Sequence, residues 1–170
     1  SKVLVYHADS DDFTIDAGVG WAPGVIGMRT PAHMRNVPGR TLRTGESTIA
    51  ENLPTNPAYD YIDPLRSHHI RSAANAPIQA SEQVVGVLEI DSDVMPALEA
   101  ADLAFLESLA GLLGAAVVRA HLEEASRQTA TKVAMLAAER ELLAAELSHR
   151  VGNQLQQVQL ALRLEQRRAV

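Results

Sequence analysis

The chain arranges its hydrophobic and polar residues in two different ways, and the change falls near Pro96. Before it, short β-type runs such as "VLVYHA" and "FTIDAGVGW" are separated by turn residues, here "DSDD", which is the pattern of a hairpin. "NAPIQA" and "SEQVVGVLEID" predict a second hairpin in the same way. All eight prolines lie in this part. We therefore predict an antiparallel sheet interrupted by long, Pro-rich loops.

From Ala97 onwards there is no proline, and the strong helix formers Ala, Leu, Glu, Arg and Gln dominate. "DLAFLESLAGLLGAAVVRAHL" repeats apolar residues at three- and four-residue steps, so we expect it to pack on the sheet. Beyond His121 the apolar stripe narrows to a heptad. This spacing predicts a parallel homodimer, the alternative being a helix that folds back on its own domain. The heptad positions are Val133, Leu136, Leu143 and Leu147.

Residues 146–158, "ELSHRVGNQLQQV", place a polar cluster in this helix. At about 100° per residue, His149 lies about 200° from Leu147, away from the apolar face. Glu146 and Asn153 stand three residues before and four residues after it, the spacings at which helix side chains become neighbours. We therefore expect His149 in solvent. The opposite, apolar face is formed by Leu147, Val151, Leu155, Val158 and Leu162.

An exposed, neutral imidazole can attack a γ-phosphoryl group. In that chemistry Glu146 would orient the ring or take its proton, and Asn153 would hold a phosphate oxygen or help to orient the nucleotide. Arg150 would counter the phosphoryl charge. The alternative is a solvated helix face that happens to contain a histidine, and geometry alone leaves both interpretations open.

Composition narrows the class of protein. The 170 residues are 46% hydrophobic and 21% charged, with a net charge of −6, and the basic residues are scattered rather than clustered as nucleic-acid binding requires. The absence of cysteine excludes disulfides, zinc–thiolate sites and thioether-linked chromophores. The first residues lack the layout of a signal peptide, and "LAGLLGAAVV" is too short to span a bilayer. We expect a cytoplasmic chain without a membrane segment.

Aromatic residues in the two long irregular segments are the candidates for a small-molecule pocket. In such a pocket, an arginine just after the second segment would contact an anionic ligand. The alternative places the tryptophan in the core and the tyrosines on the surface. No histidine spacing matches a metal site, and the adjacent His68 and His69 are interpreted as part of a polar loop. The ligand candidates are Trp21, Tyr59, Tyr61 and Arg71.

"ELSHRVGNQLQQVQLALRLEQRR" resembles the phosphoacceptor helix of sensor histidine kinases, in the group whose box reads H-R-V-x-N. The resemblance makes His149 the autophosphorylated residue and completes the box with Arg150, Val151 and Asn153. It implies ATP, bound by a domain that this chain lacks, and a response-regulator aspartate as the next acceptor.

Four further stretches resemble, in order, the first hairpin, the helix-turn, the second hairpin and the closing helix of a GAF domain, a sensor module. They imply an α+β fold: a GAF-like antiparallel sheet flanked by helices, continuing into a long C-terminal helix that forms a parallel dimeric coiled coil or bundle. The helix that usually opens the fold is not seen before the first strand. The stretches are "VLVYHADSDDFTIDAGVG", "GRTLRTGES", "IRSAANAPIQASEQVVGVLEIDS" and "ADLAFLESLAGLLGAAVVRA".

Together these features predict a GAF-like sensor over 1–118, a coiled-coil linker over 119–144 and a first phosphoacceptor helix over 145–170. The expected function is that of the sensory and dimerisation fragment of a cytosolic two-component histidine kinase, inactive alone, with an unidentified ligand in the sensor. The alternative is a non-enzymatic GAF regulator or scaffold that dimerises through its helix and in which His149 is inert.

Overall fold

A computed structural model describes the backbone of residues 1–94 and 98–168 and the side chains as far as Gln156. The chain divides into two compact units, Ser1–Ala120 and His121–Val170. Its helices and strands are β1 (Lys2–His7), β2 (Asp12–Gly18), β3 (Arg29–Pro31), α1 (Val37–Thr44), β4 (Thr48–Ala50), β5 (Ser72–Ala80), β6 (Gln83–Ser92) and α2 (Ala100–Arg168).

The six strands form one antiparallel sheet in the order β3-β2-β1-β6-β5-β4. Both predicted hairpins are present, as β1–β2 and β5–β6, and the predicted α+β fold of antiparallel sheet plus long C-terminal helix is confirmed. In the register, Lys2 lies opposite Glu89, and Glu89 lies opposite Asn75. Because directly opposite residues point to the same side of a sheet, these three polar side chains form one row.

The two faces of the sheet are covered by different elements. On β5, Ala73 joins the cluster under α1 and the long loop, whereas Ala74 and Ala76 join the cluster under α2, as strand alternation requires. The first face carries Val37, Leu53, Tyr59, Leu65 and Ile70. On the second face Leu106 and Ala110 of α2 pack against β5. Both faces of β5 and β6 are therefore covered.

Helix α1 is short and has a well-defined end. Pro38 occupies its first turn, and Gly45 ends it in the left-handed conformation, with φ 69° and an N–H that donates to the Thr41 carbonyl at 2.9 Å. Before the helix, the Asn36 side chain donates to the Pro31 carbonyl at 2.7 Å. These contacts hold α1 against β4, β5 and β6, in the place predicted for a helix-turn before a strand.

In the second unit, every residue from His121 to Gln156 is exposed. The side chains of Val158 and Leu162, which the sequence assigned to the apolar face, lie outside the described residues. By length and composition, α2 also contains an 18-residue window of mean hydropathy 1.7 that qualifies as a membrane span, with 17% of the window buried. Because helices that pack on a core pass the same test, this is a weak indication.

Two glycines of α2 provide a matched test of its contact with the sheet. A Cβ at Gly114 would lie 2.0 Å from the Gln79 carbonyl oxygen, whereas a Cβ at Gly111 would meet nothing within 4 Å. Gly114→Ala should therefore lower the free energy of unfolding by about 1–3 kcal/mol through overpacking. Gly111→Ala should raise it by about 0.5–1 kcal/mol, the usual gain for Gly→Ala inside a helix. Urea unfolding followed by fluorescence of Trp21, the single tryptophan, measures both, and equal effects would contradict this packing.

Candidate functional site

A charged cluster is buried where β1, from the first hairpin, pairs with β6, from the second. The Lys2 ammonium contacts Glu89 Oε1 and lies 3.0 Å from Asp91 Oδ1, and the three side chains are 4%, 1% and 2% exposed. The ammonium also stands 4.3 Å from the centre of the Trp21 ring, a cation–π distance. Within this cluster one positive charge faces two carboxyl groups.

Several buried polar atoms on and around this cluster have no hydrogen-bond partner among the described residues. The Glu89 and Asp91 carboxyl groups each keep one such oxygen, and neighbouring strands and α1 contribute others. Leaving a buried polar atom unpaired costs about 1–3 kcal/mol, so a concentration of them is typical of a binding site. Across the described residues, the unpartnered atoms are Thr30 Oγ1, Thr41 Oγ1, Ser72 Oγ, Asn75 Oδ1, Asn75 Nδ2, Glu89 Oε2 and Asp91 Oδ2.

A small cavity of about 20 Å³ opens beside the cluster, enough for one water-sized group. Lys2, Thr30 and Glu89 line it on the sheet side. Its rim includes Asp63, whose carboxylate is paired with Arg66 at 3.2 Å. The remaining wall is largely apolar and consists of Leu4, Pro38, Ile62, Pro64 and Leu65, with Asn36. The lining of this small cavity thus combines buried polar groups with apolar side chains.

Burial perturbs the titration of the cluster. Desolvation, reinforced by the nearby Asp91 charge, raises the pKa of Glu89 well above its usual value of 4.5, although Lys2 opposes the shift. For Lys2, burial lowers the pKa, but Glu89 and Asp91 outweigh it and the net shift is upward. The cluster therefore holds a charged lysine and favours a proton on Glu89.

The sequence pattern did not identify the residues of this cluster as site residues, namely Lys2, Glu89 and Asp91. A signal was present in "GVLEIDS", where two acidic residues alternate with apolar ones on a strand that leads into the next helix. Acids at positions i and i+2 of a strand share a face. Burial of that face, however, comes from α1 and the loop, which alternation within one strand does not reveal.

None of the four predicted ligand contacts lies on the lining of the cavity. Trp21 is half-buried, covers Lys2 and donates from its indole to the Ser1 carbonyl at 3.0 Å. Tyr59 is buried in the cluster with α1, Tyr61 packs against that cluster, and Arg71 is exposed. That these side chains contact a ligand stays a prediction.

His68 joins the two long irregular segments. Its Nε2 accepts a hydrogen bond from the Ala22 N–H at 3.0 Å, and its Nδ1 lies 3.0 Å from the Pro64 carbonyl, so the proton sits on Nδ1. Its ring meets Trp21 edge-on with centres 4.7 Å apart. His68 thus acts as a loop contact. Among the described residues, no group of three or more His, Asp or Glu side chains is placed to hold a metal ion.

In the second unit the predicted polar cluster forms two pairs on the surface of α2. The Asn153 amide lies 3.4 Å from His149 Nδ1, and Arg150 donates to Glu146 Oε1 at 2.6 Å. The contact between His149 and Asn153 joins two residues of the predicted site. Arg150 is the partner that the structure gives Glu146, a contact that the sequence analysis did not anticipate.

Comparison with known proteins addresses the first unit. Residues 4–118 match the family profile described as GAF domain. Because this match spans more than half of the chain, the chain belongs to the GAF domain family, and the resemblance of its first part to that family is confirmed. No curated protein matches the chain at a significant level.

Solved structures with the same fold come from several kinds of protein. The GAF domain of a Coxiella burnetii phosphoenolpyruvate-protein phosphotransferase is 19% identical, with a TM-score of 0.64 over 73% of this chain and 74% of that one. A methyl-accepting chemotaxis protein fragment is 19% identical, at 0.63 over 73% and 80%. Free methionine-R-sulfoxide reductase from Neisseria meningitidis, in complex with its substrate, is 23% identical, at 0.56 over 75% and 68%. Identities this low establish a shared fold alone.

The raised pKa of Glu89 predicts how stability depends on pH. Between pH 4.5 and the higher pKa in the folded state, the folded protein binds this proton and the unfolded chain does not, so rising pH destabilises the fold. The loss is about 1.4 kcal/mol per pH unit in that window. Glu89→Gln removes this term, so its free energy of unfolding should fall less as pH rises from 4.5 than that of the wild type.

Urea unfolding at successive pH values, followed by Trp21 fluorescence, tests this. The charged groups near Glu89 are the same residues in the wild type and the variant, namely Lys2, Asp91 and the Asp63–Arg66 pair. Glu82→Gln, in the exposed turn between β5 and β6, is the matched control and should follow the wild-type curve. Parallel curves for wild type and Glu89→Gln would show that Glu89 is not the buried proton carrier.

Proposed function

We propose that the chain is the sensory and dimerisation part of a sensor histidine kinase. In this proposal the GAF domain receives a signal and α2 transmits it to His149. His149 takes the γ-phosphoryl group of ATP and passes it to a response-regulator aspartate. The similarity of the first unit to a domain of a chemotaxis protein supports a sensory role for that unit.

The observation that carries the proposal is the pairing of His149 with Asn153 on an exposed stretch of helix. Asn153 meets the ring at Nδ1, which leaves Nε2 directed away from this contact and available to a nucleotide. Attack through Nε2 requires its lone pair, with the ring proton on Nδ1. The structure has the Asn153 amide nitrogen facing Nδ1; turning the amide by 180° would place its oxygen there, where it would accept a hydrogen bond from Nδ1–H and leave the lone pair on Nε2.

The transfer itself needs few groups. The Nε2 lone pair forms a bond to the γ-phosphorus while the bond from that phosphorus to the β,γ-bridging oxygen breaks, and ADP leaves with the electron pair. The ring then loses its Nδ1 proton to a base. Arg150, which is paired with Glu146 one helical turn away, would counter the charge of the phosphoryl oxygens.

Dimerisation supplies the second half of the proposal. The heptad side chains of the second unit are 50–63% exposed in the single chain, namely Val133, Leu136, Leu143 and Leu147. A helix with such a stripe is stabilised by packing it against a second helix. His149 lies about 200° around the helix from Leu147, so a partner that covers the stripe leaves the imidazole in solvent.

Charge placed in the stripe should separate the subunits. Leu136→Lys and Leu143→Lys should each raise the dimer dissociation constant by at least tenfold, because each buries a lysine against an apolar seam. Size-exclusion chromatography with light scattering at several protein concentrations measures the mass. Gln128→Lys adds the same charge at an exposed polar position of the same helix and should leave the dimer intact. A wild type that is monomeric at all concentrations would contradict the parallel dimer.

Phosphotransfer is tested by supplying a histidine-kinase ATP-binding domain in trans with γ-labelled ATP. The label should appear on the chain, be acid-labile and base-stable as expected for a phosphoramidate, and disappear in His149→Gln. His121→Gln, on an exposed turn of the same helix, is the matched control and should keep the label.

The second candidate function is a non-enzymatic GAF regulator dimerised by α2. The family match favours it equally, because a GAF domain over residues 4–118 contains no phosphoacceptor helix and requires none. A folded dimer that takes no label at His149 with an active ATP-binding domain would support this regulator and refute the kinase.

A further inference from the structure

The buried cluster in the first unit contains one ammonium group, from Lys2, and two carboxyl groups, from Glu89 and Asp91. Lys2 bonds one oxygen of Glu89 and one of Asp91, while Glu89 Oε2 and Asp91 Oδ2 have no partner among the described residues. Glu89 and Thr30 are both more than nine-tenths buried, both line the cavity, and both carry an unpartnered oxygen. The cavity lining therefore contains two unpartnered buried oxygens, one from a carboxyl group and one from a hydroxyl, and the carboxyl group becomes a negatively charged acceptor when Glu89 is ionised.

The chemistry of these atoms selects the kind of group that completes them. The oxygens of a carboxylate and a hydroxyl accept hydrogen bonds, and a buried carboxylate is stabilised by a cation. A positively charged N–H group therefore satisfies both requirements. The volume of about 20 Å³ admits one group the size of water, and an ammonium group has that size. The cavity lining also contains apolar side chains that suit a short hydrocarbon attached to this group, namely Leu4, Pro38, Ile62 and Leu65.

We propose that this cavity binds the ammonium group of a small primary amine, with Glu89 Oε2 and Thr30 Oγ1 as its acceptors. The inference deepens the proposed sensory role of the first unit and rests on it. Burial raises the pKa of Glu89 and so favours its protonated form; a bound ammonium would take the place of that proton, which is released to solvent. Asp63, on the rim, is paired with Arg66 and adds no free charge there.

A divalent metal fits these residues less well. Metal ions such as Mg²⁺ and Ca²⁺ take six or more oxygen ligands, whereas the unpartnered buried oxygens that line this water-sized cavity are Glu89 Oε2 and Thr30 Oγ1. Lys2 already occupies the other oxygen of Glu89 and repels a double charge. A single positive charge with directional N–H donors matches the two acceptors.

The experiment is an NMR titration of the whole ¹⁵N-labelled chain with methylammonium chloride. The backbone signals of Thr30 and Glu89 should shift saturably. Tetramethylammonium chloride at the same ionic strength has the charge but no N–H donor and should give no saturable shift. Magnesium chloride tests the metal. Saturation by tetramethylammonium or by magnesium at the same concentrations, or no saturation by methylammonium, would overturn the proposal.

Two variants locate the site. Glu89→Gln keeps the shape and removes the charge, so it should weaken methylammonium binding at least tenfold, while Glu82→Gln in the exposed turn should bind as the wild type does. Thr30→Val removes one acceptor without changing the charge and should weaken binding about fivefold, which keeps the test valid if Glu89→Gln fails to fold. Unchanged binding in a folded variant of either site residue would refute the assignment. Because the titration does not involve His149, failure of phosphotransfer and failure of amine binding are separate results.

Discussion

The contact between Lys2 and the two carboxyl groups of β6 is the constraint on which the first unit depends. A buried ion is costly unless it is paired, so an unpaired ammonium or carboxylate here would destabilise the sheet by several kcal/mol. Lys2 and Glu89 are also directly opposite in the β1–β6 ladder. Since a slip of one residue would turn Lys2 to the other face, the charge pairing and the strand register specify each other.

The same strand links the polar site to the apolar face behind it. Glu89 points into the cavity, whereas its neighbours Leu88 and Ile90 pack in the cluster that contains Leu106 of α2. A change in the charge on Glu89 therefore acts on a strand whose other side supports the helix. The unpaired atoms on one face and the close approach of Gly114 to Gln79 on the other make β5 and β6 the structural connection between the buried polar cluster and α2 within this unit.

Features set by local pattern were predictable from sequence, and those set by pairing across the sheet were not. The hairpins at 2–18 and 72–92 followed from alternation and turn residues, and α2 from its apolar repeat and lack of proline. The burial of Glu89 and Asp91 was not predicted, because that side of the strand is buried only by the packing of α1 and the loop. The Lys2–Glu89 pair depends on register, which the sequence of either strand alone does not contain.

In the second unit, a contact within the helix was predictable from the sequence. Its helical register alone placed His149 beside Asn153, and the structure gives that contact because residues four apart on a helix are neighbours in any environment. In the proposed dimer, the leucine stripe of one chain is covered by the stripe of a second chain. Yet the stripe and the imidazole occupy opposite sides, so one flat partner surface cannot cover both. A symmetric pair of helices that meets along the stripe satisfies the apolar side chains and leaves two imidazoles facing outward, one on each side of the axis. That symmetry makes an exposed histidine compatible with a stably packed helix.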